Sequence, residues 1–243
     1  MENIKLEKYN KDRDYSYTFG AFPTFELINK KRDAVVCVLL HSKLKVTEDI
    51  QNLLNTCKKD NIEVVYNDKV INKIVDKENC FVVGVFKKFD CEKQKGKHLV
   101  LVNPSDMGNM GTIMRTTLGF GIKNLCIVKP CVDIFNPKVV RASMGAIFSL
   151  NVVAFDSVEE YLKSNNNKKY FFMLNGKKVL GSFNKTDKDY DLVFGNEASG
   201  LPNELLNYDE SVVIEHGKDI DSLNLPISVG VALYEFTKNR LRN

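Results

Sequence analysis

Three polar, glycine-bearing stretches, each directly behind a short apolar run, gather most of the residues in this 243-residue chain whose types suit chemistry. NPSDMGNMGTIMRTTLGFG (103–121) follows HLVLV, GNEASGLPNEL (195–205) follows DLVF, and EHGKDIDSLNLP (215–226) follows SVVI. A chain that leaves the carboxyl end of a buried strand and enters a helix has unpaired backbone N–H groups at the helix start. In an open α/β sheet the strand ends also leave a crevice, and ligands bind there. Gly111, Gly195, Gly200 and Gly217 let backbone approach a ligand closely, while Asn109, Glu197, Ser222 and Asn224 offer side-chain contacts. Tight turns use the same residue types for steric reasons, so one such stretch is weak. Three behind three strands of one sheet point to a shared ligand.

Other chemistries are disfavoured. No GxGxxG follows a strand and no GxxxxGK[ST] occurs, which argues against the common dinucleotide and triphosphate folds. The six cysteines (37, 57, 80, 91, 126, 131) include no CxxC pair, and the three histidines (41, 98, 216) lack metal-ligand spacing. Reduced, buried thiols are therefore expected, with no metal. The longest apolar run, AVVCVLL (34–40), is too short to span a bilayer, and the polar start carries no signal-peptide core, so a cytoplasmic protein without a membrane segment is expected.

The net charge of +4 permits a nucleic-acid partner without requiring one. It leans toward the N-terminal part: residues 1–95 hold 18 basic and 15 acidic groups, and residues 96–243 hold 17 and 16.

The elements that must position the three loops are legible as a repeated alternation. Residues 34–86 read strand AVVCVLL, a helix with Ile50, Leu53, Leu54 and Cys57 on one face, strand IEVVY, a short helix with Val70, Ile71 and Ile74, and strand FVVGVF. A further helix is expected in TFGAFPTFELINKKR (18–32). The charged stretch KKFDCEKQKGK (87–97) reads as a linker, dividing a small α/β domain (1–95) from a second domain (96–243). Beyond it come HLVLV, a helix with Ile113, Met114 and Leu118 inward, NLCIV, a helix from about 137 through 146, and a strand near LNVVAF. A helix capped by Ser157 and Glu160 follows, then YFFML, DLVF, a helix opening with Pro202, SVVI, and a long final helix. The pattern predicts a mostly parallel sheet covered on both faces.

Taken together, the loops resemble the SPOUT class of methyltransferases, in particular the SpoU/TrmH family of RNA ribose 2′-O-methyltransferases. The resemblance rests on N-x-G-x-x-x-R at Asn109, Gly111 and Arg115, RASMG at Arg141 to Gly145, G-N-E-x-x-G-L at Gly195 to Leu201, and S-L-N at Ser222 to Asn224. These fall in the family's order and spacing over about residues 99–236. The resemblance implies an α/β fold with a deep trefoil knot, S-adenosylmethionine as cofactor, structured RNA as substrate and a homodimer through the C-terminal domain. The N-terminal domain is similar in pattern to the small α/β substrate-binding domain of many members. After SVVI this chain has Glu215 and His216 where the family usually shows Pro-Met, which leaves the wall facing the adenine open to difference. Pro226, just past S-L-N, suits the first turn of a helix.

Carried over, the resemblance assigns Arg115, Asn109, Glu197, Ser222 and Asn224 to catalysis. It assigns Gly195, Asn196, Glu197, Gly200, Ile214, His216, Ser222 and Leu223 to the cofactor, and Arg115 and Arg141 to RNA. A guanidinium stays protonated, so Arg115 suits phosphate anchoring and stabilisation of a developing 2′-alkoxide before general-base work. Glu197 organises the site by bonding loop N–H groups or Arg115, or stands as a helix N-terminal carboxylate. Ser222 and Asn224 hold the nucleotide or cap the last helix. A ribosomal RNA substrate is favoured over transfer RNA because a separate N-terminal recognition domain resembles those of rRNA enzymes. A non-catalytic RNA-binding relative and a nucleotide-binding oxidoreductase are the competing classes. The first is disfavoured by the presence of both Arg115 and the Glu197 loop, the second by the missing glycine fingerprint.

Overall fold

Local rules account for most of the elements. In the computed structural model, which describes residues 6–75, 79–186 and 188–238, the chain opens with strand β1 (Tyr15–Phe19) and helix α1 (Ala21–Lys30). Next come β2 (Val35–Leu40), α2 (Glu48–Lys59), β3 (Val64–Tyr66), α3 (Asp68–Ile74) and β4 (Val82–Lys87). Thr47 caps α2 by accepting a hydrogen bond from the Ile50 N–H, and Glu48 and Asp49 in its first turn with Lys58 and Lys59 in its last complement the helix dipole. Asn67 caps α3 in the same way through Val70. β1, of which only Thr18 and Phe19 fall in the helical segment expected from sequence, alternates Tyr15, Tyr17 and Phe19 with the polar Ser16 and Thr18.

The second half contains β5 (His98–Val102), α4 (Met107–Gly119), β6 (Asn124–Val128), α5 (Pro137–Ala142), β7 (Asn151–Phe155), α6 (Val158–Lys163) and β8 (Lys168–Phe172). It closes with β9 (Lys178–Val179), β10 (Tyr190–Phe194), β11 (Glu210–Val213) and α7 (Leu225–Thr237). α5 is shorter than its periodicity predicts. Met144 and Gly145 turn left-handed at φ 50° and 83°, and a Cβ on Gly145 would lie 2.6 Å from Glu26 Cβ, so the chain there needs glycine. Pro202 opens a tight 3₁₀ turn (Asn203–Asn207) in place of the expected helix. At α6, Ser157 accepts from the Glu160 N–H, but the Glu160 carboxylate accepts from Asp156 N–H, one residue earlier than a reciprocal capping box requires.

The chain divides into two compact units: Met1–Phe89 with Asp133–Ser149, and Asp90–Val132 with Leu150–Asn243. The RASMG segment therefore packs with the first unit, which builds on a four-stranded sheet of order β1-β4-β2-β3. Only β2 and β3 pair in parallel there. One face of that sheet buries Tyr15, Tyr17, Leu39, Val83 and Val85, the other Val38, Leu40 and Val82 against Ile28, Leu53 and Cys57 of its helices.

The second unit builds on a seven-stranded sheet of order β7-β6-β5-β10-β8-β11-β9, in which every pairing is parallel. The chain steps outward from β5 through β6 to β7, then returns on the other side of β5, which creates a switch point between β5 and β10 where strand ends part. β5, β6 and β10 are buried along their full length, as a sheet covered on both faces requires. α4 and α7 pack together, with Gly230 placed so that a Cβ would touch Thr116 at 3.8 Å. Among the described residues no helix is long and apolar enough to cross a membrane, and no group of three or more His, Cys, Asp or Glu is placed to hold a metal.

Candidate active site

All three glycine-bearing stretches leave carboxyl ends of strands in the parallel sheet, from β5, β10 and β11. The first two are locked to each other. Asn103 turns the chain out of β5 at φ 52°, and Asp106 caps α4 by accepting from the Asn109 N–H at 2.7 Å. Asn196 Nδ2 donates to the Asn103 carbonyl at 2.7 Å, while its Oδ1 accepts from Ala198 N–H at 2.9 Å and so closes its own turn. Asn196 and Gly200 exchange both backbone hydrogen bonds across that turn. A Cβ on Gly195 would stand 2.1 Å from the Gly200 carbonyl carbon, so the return strand of the turn lies directly over Gly195 and excludes any side chain there.

Glu197 is the hub. Its Oε2 accepts from Ser105 Oγ at 3.0 Å and Ser105 N–H at 3.3 Å, and its Oε1 accepts from Asn109 Nδ2 at 3.2 Å. Burial pushes this carboxyl up, but hydrogen bonds from its own N–H, Asn109 and Ser105 outweigh burial and hold it below the usual range. It is a carboxylate at neutral pH, set beside the amino end of α4 where a negative charge is favoured. Of the two roles expected for Glu197, the structure shows the loop bonds. Among the described residues it does not pair with Arg115.

The second and third loops, with the segment at the end of β8, surround a cavity of about 370 Å³, a size suited to one small-molecule ligand; the first loop contributes no lining residue and joins the cavity only through its bonds to Glu197. Its lining includes Gly195, Asn196, Glu197, Gly200, Ile214, His216, Ser222 and Leu223, which are the eight residues expected at the cofactor. The remainder are Phe172 to Asn175 behind β8, Phe194, Ala198, Ser199, Leu201, Asn203, Val212, Leu225 and Ser228. Phe172 and Phe194, stacked at 4.4 Å between ring centroids and 5° between planes, form an aromatic part of the wall. His216 Nδ1 donates to the Ile214 carbonyl at 3.0 Å, which leaves Nε2 as the ring's acceptor.

The segment behind β8 was not singled out from the sequence. Its signal is the Asn175–Gly176 pair closing YFFML, where a Cβ on Gly176 would meet the Val212 backbone at 2.4 Å.

The other expected residues lie outside the lining. Asn109 reaches it through Glu197. Asn224 occupies the cap position of α7, but its side chain makes no capping hydrogen bond; its carbonyl accepts from Ile227 and Ser228 N–H. Arg115 is exposed on α4 and, among the described residues, makes no hydrogen bond or ion pair. Arg141 lies in the last turn of α5, in the first unit.

The donor set fits S-adenosylmethionine. Among the described residues lining the cavity there is no lysine or arginine, which disfavours a polyphosphate ligand. Backbone groups of residues 195–200 and 212–214 suit the edges of a nucleoside, the Phe172 and Phe194 rings suit its apolar faces, and the Glu197 carboxylate complements a cation such as a sulfonium.

Comparison with known proteins identifies the family and the fold. A 23S rRNA (adenosine(1067)-2′-O)-methyltransferase from Streptomyces laurentii is 29% identical over 202 residues, covering 78% of this chain and 75% of its own length. A putative tRNA (cytidine(34)-2′-O)-methyltransferase from Bacillus subtilis is 33% identical over 144 residues, covering 57% of this chain and 89% of its own. The fold is that of the SpoU methyltransferase AviRb from Streptomyces viridochromogenes, whose structure in complex with AdoMet matches at a TM-score of 0.81 and 21% identity over 94% of this chain and 91% of that one. The family model of the SpoU rRNA Methylase family matches residues 96–234, more than half of the sequence. The chain belongs to the SpoU rRNA methylase family.

Proposed function

We propose that this protein methylates a ribose 2′-hydroxyl of structured RNA with S-adenosylmethionine, ribosomal RNA being the favoured substrate. The observation that carries this reading is a cavity at the carboxyl ends of β8, β10 and β11 with no lysine or arginine among its described lining residues, coupled through Glu197 and Asn109 to α4, whose Arg115 makes no hydrogen bond or ion pair among the described residues. Bound S-adenosylmethionine supplies a methyl group on a positively charged sulfur. The residues of the chain do the rest. Residues 195–200 hold the nucleoside by backbone, and Glu197 fixes loops one and two at a constant separation, so that α4 keeps its place relative to the cavity. Arg115 anchors an RNA phosphate and stabilises the oxyanion that develops at the 2′ position. Asn109 orients the ribose, Ser222 and Asn224 hold the substrate side of loop three, and Arg141 takes a further phosphate.

Ribosomal RNA is favoured because the relative matched over both units, from Streptomyces laurentii, is named for that substrate. The relative named for transfer RNA is matched over 57% of the chain. Two measurements on the full chain test the proposal. Calorimetry should show S-adenosylmethionine binding without RNA, and NAD should give no heat. RNA methylated by the enzyme should resist alkaline cleavage at the modified nucleotide, because the free 2′-hydroxyl that attacks the phosphate is gone. Methylation of a base with the ribose untouched would refute the proposed reaction, and modification confined to transfer RNA would refute the preferred substrate.

A homodimer through α7 belongs to the same proposal. Ile227, Val231 and Tyr234 lie at i, i+4 and i+7 and are exposed, while Val229, Ala232, Leu233 and Phe236 are buried, so α7 is apolar on its outer face as well. Sedimentation should show a dimer that Val231→Glu converts to monomer. A monomer at micromolar concentration in the parent protein would contradict it.

A further inference from the structure

In the first unit, the end of α1 and the end of β4 enclose an open groove of about 730 Å³ lined by residues 29–34 and 87–89. Five of these nine residues are cationic, Lys30, Lys31, Arg32, Lys87 and Lys88, and one, Asp33, is acidic. Removing those five cations and one acid from the chain's 35 basic and 31 acidic residues leaves 30 of each, so the groove accounts for the whole net charge of +4.

Little of this charge is neutralised. Arg32 pairs with Asp60 at 2.9 Å. Among the described residues Lys30, Lys31, Lys87 and Lys88 have no carboxylate partner. Lys31 Nζ is held 4.7 Å from the ring centroid of Phe89, and Lys88 Nζ donates to the Lys11 carbonyl and lies over the Tyr9 ring at 4.9 Å. Phe89 is itself fixed by edge contact with Phe135 at 5.1 Å, so the ammonium above it is positioned by a packed ring.

The dipole of α1 accounts for lysines in its last turn. It does not account for Lys87 and Lys88, which end a strand, where the net dipole is small. Two unrelated elements thus converge their cations on one concavity, and low-dielectric walls focus the field there. Lysines are flexible point charges, and the groove offers only Asn29 and Asp33 as side-chain acceptors. Such a set suits phosphates and has little means to read bases.

We propose that this groove seats the phosphodiester backbone of a double-stranded segment of the substrate RNA, a contact that sets affinity. The proposal rests on the RNA reading above. It is tested with a fluorescent RNA hairpin titrated over a range of KCl concentrations, alongside S-adenosylmethionine calorimetry.

Lys30→Ala with Lys87→Ala should lower the slope of log affinity against log salt by about 2, roughly 0.9 per lost phosphate contact, and weaken binding about tenfold or more at low salt. Cofactor affinity should not change. Lys30→Arg with Lys87→Arg should keep the parent slope, which separates loss of charge from loss of fold. A parent that binds the hairpin with a slope the alanine pair leaves unaltered would overturn the groove alone. A parent that binds S-adenosylmethionine but no hairpin would overturn the RNA reading together with the groove. Polyglutamate bound as tightly as the hairpin, and lost equally in the alanine pair, would assign the groove to acidic protein and overturn the RNA partner.

Discussion

Arg115→Ala lowers the rate of methyl transfer by about two orders of magnitude or more while S-adenosylmethionine affinity stays at the parent value. That is the expected size for removing one group aimed at a developing oxyanion. The structure gives the reason for the split. Arg115 lies outside the cavity lining and forms no hydrogen bond or ion pair among the described residues, so its loss breaks no contact of the cofactor site. Among the described residues nothing occupies its guanidinium. Arg115→Lys recovers little, because one ammonium cannot reproduce the planar fork that grips a phosphate and an oxyanion together. Single-turnover kinetics on substrate RNA, with calorimetry on the same preparations, checks both halves. A loss of less than about tenfold, or a parallel loss of cofactor affinity, would remove Arg115 from the reaction.

Asp191→Ala destabilises the protein by about 3–5 kcal/mol, the usual consequence of deleting one side of a buried charged cluster. Asp191 is fully buried on β10, in register with His98 of β5 on one side and Lys169 of β8 on the other. Its carboxylate accepts from His98 Nδ1 at 2.8 Å, Asn167 Nδ2 at 2.8 Å, Tyr161 OH at 2.8 Å and Asn165 Nδ2 at 3.0 Å, with Lys169 Nζ at 4.0 Å. Alanine leaves those buried donors facing a void. Asp191→Asn keeps the shape and costs less.

The acid dependence has a definite sign. Burial pushes the Asp191 carboxyl up, but the hydrogen bonds from His98, Asn167 and Tyr161 prevail and hold it below its ordinary value. A depressed carboxyl contributes its full stability above the unfolded value near about 4, and the contribution drains as pH falls through the folded value. Urea unfolding of parent and Asp191→Ala should therefore differ most near neutrality and converge in acid. Curves separated by less than about 1 kcal/mol at pH 7 would contradict the role given to this carboxylate.

The sequence made the strand-to-helix alternation legible because its strands are buried runs and its helices carry caps at Thr47, Asp106 and Ser157. It hid β1, of which only Thr18 and Phe19 fall in the helical segment expected over 18–32, and β9, two residues long. The overextended helix beyond Pro137 failed for a tertiary reason: Glu26, over a hundred residues earlier, crowds Gly145, and no local pattern announces that. The loops could be placed at strand ends from glycine and asparagine spacing alone. Their bonding could not, since Glu197 finds Ser105 and Asn109 only after β10 slots in beside β5. Nor did spacing reveal the Asp191 cluster, which joins five residues contributed by β5, α6, β8 and the turn between them.

Because the strands run parallel, the Asp191 cluster fastens the amino ends of β5, β8 and β10 while the cavity opens at the carboxyl ends of β8, β10 and β11, only about 10 Å of strand away along β10. The rim loops are thus hung from a clamp they do not contribute to. Drift in their sequence toward another RNA or a modified cofactor leaves the fastening intact, and repairs made at the clamp leave the rim unaltered. An engineer retargeting this enzyme has two nearly independent dials, one at each end of the same parallel sheet.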